Sequence, residues 1–195
     1  MTRTRLIAIV APLLVLLSAC GINSVPRAEE EAKGRWADVQ TDLQRRADLI
    51  PNLVSTVRAA AAQERNVLRE VVEARASASR IQVTGDQLTD PQAMSRLAEA
   101  QARISISLQR LQEAYPELRS NSNFETLMHQ LEGSENRLSR SRERYNQAVQ
   151  DYNTLIRTFP SSIGARIIHG AEAMVPFAAD EAAQRAPQVD FGNGS

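Results

Sequence analysis

From Phe124 to Phe159 this chain sets an apolar or small residue at every third or fourth position. The series is Phe124, Leu127, Leu131, Ser134, Leu138, Ser141, Tyr145, Ala148, Tyr152, Leu155 and Phe159. A 3-4 alternation kept up for this long marks a helix buried lengthwise against others. As one helix it would run about 54 Å, at 1.5 Å per residue. Pro160 should end it, since proline has no N–H and clashes with the preceding turn. A stripe of that length needs partner helices of comparable length, which restricts the fold to a bundle.

Partners are present. Trp36, Leu43, Ile50 and Val57 recur every seven residues, and Ala47, Val54, Ala61 and Leu68 form a second series. Pro51 interrupts them: it either kinks one long helix or opens a new one capped by Asp48. The register holds across it, which favours the kink. The pattern fades after Ala78, and Val83 to Gln87 reads as a loop. Asp90 followed by Pro91 restarts a helix with a cap and a proline at its first position. Met94, Leu97, Gln101, Ile104, Leu108, Leu111 and Tyr115 continue it to Pro116. Ile163 to Ala173 suits a shorter helix. Only eight glycines and eight prolines punctuate 195 residues, so strand-rich folds with many turns are excluded. The expected fold class is all-α: an antiparallel up-and-down bundle of about four helices with coiled-coil-like seams. Its span is 34–180, with a loose tail over 181–195.

The amino terminus carries a different signal. Arg3 and Arg5 precede an apolar run from Leu6 to Leu17, then come Leu17-Ser18-Ala19-Cys20, with the only cysteine of the chain. Basic start, short apolar core and small residues outline a secretory signal peptide. The run is short for a membrane span, which takes about 20 residues. Leu17 to Cys20 resembles the bacterial lipobox, in which the signal is removed and the cysteine lipidated; an uncleaved anchor helix is the alternative. Residues 1–19 are thus expected to be a signal peptide. Residues 20–33 would hold lipidated Cys20 and the membrane-proximal start of the first helix, where Ser24 caps and Pro26 falls in the first turn. The partner so implied is a membrane, and the location is the bacterial cell envelope, facing the periplasm or exterior. Gly21, where aspartate would signal inner-membrane retention, favours the outer membrane of an organism with two. Formal net charge is zero, and no basic excess invites nucleic acid.

Further motifs lie inside the seams. Arg45-Arg46 followed by Asp48-Leu49-Ile50-Pro51-Asn52-Leu53 resembles the signature of the LemA family. So do Asn123-Phe124, Leu131-Glu132, Glu135-Asn136-Arg137, Tyr145-Asn146, Tyr152-Asn153, Phe159-Pro160 and the closing Pro187-Gln188-Val189-Asp190-Phe191. The resemblance spreads over most of residues 22–191. It implies an antiparallel bundle of about four helices facing outward from a bacterial membrane, without an established enzymatic activity. Members more often keep an uncleaved N-terminal anchor helix, so the lipobox alters the mode of attachment.

Candidate site residues follow from these motifs. Arg45, Arg46, Asp48 and Asn52 surround the proline, which leaves a carbonyl of the preceding turn without its donor. They read either as a solvated face with weak intrahelical pairs or as donors gripping a partner or another helix. Asn146 and Asn153, seven residues apart beside core tyrosines, suit a polar ladder to a neighbouring helix. Asn136 joins them as a candidate surface residue. Arg137, Arg140, Arg142 and Arg144 alternate with acids, as on a salt-bridged flank. His129 falls opposite the seam, beside Glu125. With two histidines, no paired Glu-x-x-His and no glycine-rich phosphate loop, the sequence offers no metal, cofactor or catalytic set. The expectation is a non-enzymatic interaction or scaffolding module that binds an unidentified envelope protein. The alternative is a carrier holding a small apolar or peptide ligand between its helices. Ser134, Ser141 and Gln101 at seam positions mean either close helix approach or a cavity.

Overall fold

A computed structural model describes residues 23–60 and 65–178. The signal segment, Cys20, Gly21, Ala61 and the tail over 181–195 lie outside the described residues. The described residues form four long helices and a short fifth: α1 (Ser24–Ala60), α2 (Arg65–Ser79), α3 (Pro91–Ala114), α4 (Ser122–Arg157) and α5 (Ser161–Ile167). Two 3-10 turns, Gly85–Gln87 and Pro116–Ser120, join α2 to α3 and α3 to α4. No described residue is in a strand.

Helix ends lie where local chemistry sets them. Asp90 accepts a hydrogen bond from the Gln92 N–H at 2.8 Å, with Pro91 as the first helical residue of α3. Asn121 caps α4 by accepting from the N–H groups of Asn123 and Phe124. α1 runs through Pro51 without a break, so one continuous helix carries the proline. Residues on α1 and α4 meet in reverse order: Trp36 with Tyr145, Asp42 with Ser141, Arg46 with Glu135. The two longest helices are therefore antiparallel neighbours. α2 and α3 form the second pair, joined at the surface by Arg110 and Glu70 at 3.2 Å.

The core divides in two. Near the start of α1, Val25, Ala32, Trp36, Val39, Leu138, Tyr145 and Tyr152 pack with Ala165 of α5. Toward the other end Ile50, Leu53, Val57, Leu68, Leu111 and Phe124 form a second cluster. Each fully buried side chain of this size contributes about 1.5–3 kcal/mol by leaving water. Between the clusters the buried stripe of α1 carries Arg46, which is 3% exposed.

That arginine modifies the register read from the sequence. The buried face of α1 is Val25, Ala32, Trp36, Val39, Leu43, Arg46, Ile50, Leu53, Val54 and Val57, with Leu43 half-buried. Val54 of the second series is buried as expected, Val39 and Leu53 join it, and Ala47 lies half-buried at the side. Leu68 is buried, but on α2. An arginine at a core position has no place in an apolar pattern, so neither series includes Arg46. The bundle also begins earlier than residue 34, since Val25 and Ala32 are fully buried.

Three features at the carboxyl end depart from expectation. Phe159 is 76% exposed because α4 ends at Arg157 and the chain turns away. α5 stops at Ile167, short of Ala173. Gly170, at φ 56°, takes the left-handed conformation that glycine tolerates, and the Ala171 N–H reaches the Ala165 carbonyl at 3.0 Å. Beyond it, residues 171–178 form an extended strap rather than helix, with Met174 and Phe177 buried against α4.

Candidate functional site

Asn146 and Asn153 hold the strap. The Asn153 side chain donates to the Met174 carbonyl at 2.8 Å and accepts from the Met174 N–H at 2.9 Å. Asn146 does the same with Phe177, at 3.1 and 2.8 Å. An amide side chain is the right group here, because it offers a donor and an acceptor side by side. The spacing also fits. Seven residues of helix rise about 10.5 Å, and three residues of extended chain span about 10 Å. Tyr145 adds an O–H bond to the Val175 carbonyl at 2.9 Å, and the Val175 N–H reaches the Leu88 carbonyl at 2.8 Å. Burial pushes the Tyr145 hydroxyl well above the ordinary tyrosine range. The polar ladder exists, then, but it grips backbone of an extended segment and not a helix.

Arg46 turns inward. Its Nη2 donates to Ser105 Oγ at 2.8 Å and its Nη1 to Gln101 Oε1 at 3.4 Å, both on α3. The same Nη1 lies 3.1 Å from Glu135 Oε2 on α4. Arg142 approaches the other oxygen of Glu135 at 3.8 Å and stacks over the Phe177 ring, 5.1 Å from its centroid. Burial lowers the pKa of both guanidinium groups, while Glu135 opposes that shift. Arg142 therefore belongs to the interior network and not to a solvated flank, whereas Arg140 and Arg144 are exposed. Nearby, Ser141 donates to Asp42 Oδ2 at 2.6 Å, and Ser134 is fully buried, its hydroxyl bonded to the Leu131 carbonyl. Ser141 thus ties α4 to α1, while the bond of Ser134 stays within α4.

The structure separates the rest of the proline cluster from Arg46. Arg45, Asp48 and Asn52 share an exposed stripe of α1. Arg45 lies 3.9 Å from Asp42, and Asp48 accepts from Gln44 at 2.7 Å. Asn136, on α4, is exposed. The carbonyl orphaned by Pro51 is that of Ala47, four residues earlier, and its donor is Arg75 Nε of α2 at 2.8 Å. Contrary to the expectation from sequence, neither Asn52 nor the paired arginines fill that gap; a side chain from another helix does. The sequence signals the need for a donor at Ala47, but not which helix supplies it.

Gln101 borders a cleft of about 340 Å³ between α1, the end of α2 and α3, lined also by Trp36, Leu43, Ala78, Val83 and Leu97. Trp36 Nε1 and Gln40 Nε2 both donate to the Val83 carbonyl, at 2.7 and 3.0 Å, and pin its rim. His129 is exposed between Glu125 and Glu132, at 3.8 and 3.3 Å, as a surface residue. Among the described residues no group of three His, Cys, Asp or Glu is placed to hold a metal, and no helix is long and apolar enough to cross a membrane.

An antiparallel helical bundle, locked by an interior arginine network and closed by an asparagine-clamped strap, is the class of protein these features define. The chain belongs to the LemA family, whose sequence model matches residues 35–191. No curated protein matches it.

Proposed function

We propose that this LemA-family protein is a lipid-anchored, membrane-proximal helical bundle that acts as a non-enzymatic interaction or scaffolding module in the bacterial envelope. The observation that supports this is the continuity of α1 from Ser24 to Ala60. Cys20 precedes it by four residues, so a lipid at that cysteine would be joined by a short tether to a stiff rod of about 55 Å. Such a rod holds the stripe of Arg45, Asp48 and Asn52 roughly 30–40 Å beyond its start, free to meet an envelope protein. Gly21 favours the outer membrane where there are two. Mass and N-terminal sequence of the native protein test the anchor, with Cys20→Ser as the variant that blocks processing; an unmodified chain starting at Met1 refutes it. Photocrosslinkers at Arg45, Asp48 and Asn136 in intact cells test the module: one or few discrete protein adducts support it, and none at any position refutes it.

The cleft beside Trp36 favours a second reading, a carrier for a small apolar or peptide ligand. Ala47→Leu would partly fill it. Loss of binding of an apolar fluorescent probe in that variant supports the carrier, and unchanged binding counts against it.

A further inference from the structure

Among the described residues six large apolar side chains are exposed, and four of them, Phe159, Ile163, Ile167 and Ile168, fall within ten residues at one end of the bundle. The other two, Val72 and Ile106, lie on α2 and α3. Ile163 and Ile167 are one turn apart on α5, and with Ile156, Arg157 and Arg166 they line an open groove between α4 and α5. A concentrated exposed apolar surface marks an interaction site.

The position of this corner points to its occupant. α5 packs against α1, and Ala165 shares a core cluster with Val25, the second residue of α1. The apolar corner is therefore at the end where the chain enters the bundle. Only Gly21, Ile22 and Asn23 separate Cys20 from Ser24, and four residue steps reach at most about 14 Å. The headgroup layer of one leaflet is itself about 5–8 Å deep. A bundle on so short a tether has this end, and no other, against the bilayer. The charge agrees. Arg157 and Arg166 are exposed at the groove and have no ion pair among the described residues. Of the acids at this end, Glu29 and Glu30 lie 2.7 and 3.4 Å from Lys33 and Glu31 lies 3.4 Å from Arg35, so the two arginines face one exposed acid at the groove, Glu172, between Ala171 and Ala173.

We infer that the α4–α5 corner is a membrane-docking surface, in which Phe159, Ile163, Ile167 and Ile168 enter the acyl boundary while Arg157 and Arg166 receive anionic headgroups. This rests on the reading of Cys20 as a lipid anchor. Apolar side chains backed by cations are the combination that holds a helix in the interface plane. Docking would turn a loose tether into a fixed orientation, with α1 and α4 rising from the surface.

The test uses the full chain, purified from bacterial membranes and reconstituted into phosphatidylethanolamine vesicles with about a quarter phosphatidylglycerol. Ile167→Cys and, at the far end of α4, Ser122→Cys each receive an environment-sensitive fluorophore; lipidated Cys20 does not react. Brominated acyl chains should quench the probe at position 167 about twofold or more beyond that at 122. Combined Arg157→Gln and Arg166→Gln should reduce that difference in these vesicles but not in phosphatidylcholine vesicles. Equal quenching at both positions in vesicle-bound protein overturns docking and leaves the anchor standing. A blue-shifted, unquenched probe at position 167, together with a disulfide between two chains of the unlabelled Ile167→Cys variant, assigns the corner to a second copy and overturns docking too. Labelling of the unsubstituted protein at Cys20, with failure to float with vesicles, overturns the anchor and docking together.

Discussion

Replacing Pro51 with alanine should stabilise this protein and, at the same time, release it from dependence on Arg75. Pro51 is exposed, so alanine meets no obstacle, and a helix interior favours alanine over proline by about 3 kcal/mol. Proline also restricts the unfolded chain, which offsets about 0.4–1 kcal/mol. The net gain should be about 2 kcal/mol. Arg75 Nε now supplies the Ala47 carbonyl with its donor at 2.8 Å. A hydrogen bond from a charged group contributes about 1.5–3 kcal/mol, and the half-buried position of Arg75 places Arg75→Ala at the low end, about 1.5 kcal/mol. With alanine at position 51, its N–H serves the same carbonyl, and Arg75→Ala should cost only about 0.5 kcal/mol. The coupling between the two sites is then about 1 kcal/mol, well above the error of additive changes. Urea unfolding of the four proteins, followed by far-ultraviolet circular dichroism and by fluorescence of buried Trp36, measures it. An equal cost of Arg75→Ala in both backgrounds would refute the account of how the proline is accommodated.

Asn153→Asp should keep the bond from the Met174 N–H but set a carboxylate against the Met174 carbonyl. The loss, about 2–3 kcal/mol at neutral pH, should shrink relative to wild type on acidification, as the protonated acid regains a donor; a pH-independent loss argues against the clamp. Arg46→Ala should destabilise by about 2–4 kcal/mol through lost bonds and an emptied core position, whereas Arg45→Ala should change unfolding by less than about 0.5 kcal/mol; equal effects would mean the faces of α1 are misassigned. Tyr145 has its folded pKa raised above the ordinary tyrosine value of 10.0, so its contribution is complete below pH 10 and falls as pH rises beyond it, because only the unfolded chain loses the proton. Alkaline titration of unfolding should show that decline, by up to about 1.4 kcal/mol per pH unit for this group, and Tyr145→Phe should lessen it, leaving the part due to Tyr152, whose pKa burial also raises.

The sequence alone shows the helical class, most helix ends and the stripe of α4, because these depend on local chemistry repeated along one chain. Proline, Asp90 and Asn121 act within a turn of themselves, and nine residues between Phe124 and Tyr152 are buried on α4, all but Val149 from the 3-4 series. It also marked the residues of the candidate site without their partners. Tyr145-Asn146 and Tyr152-Asn153 stood out by their spacing, yet nothing local says that Met174 and Phe177 will lie opposite them in extended chain. Arg46 read either as a solvated residue or as a donor to a partner or another helix, and only Glu135, Gln101 and Ser105, contributed by two other helices, decide for the interior. Arg75 carried no signal at all, since the carbonyl it serves is 28 residues away in the chain. Position along a helix is a local property, whereas satisfaction of a buried polar group is a sum over all the elements that surround it, and those elements come together only in the tertiary structure.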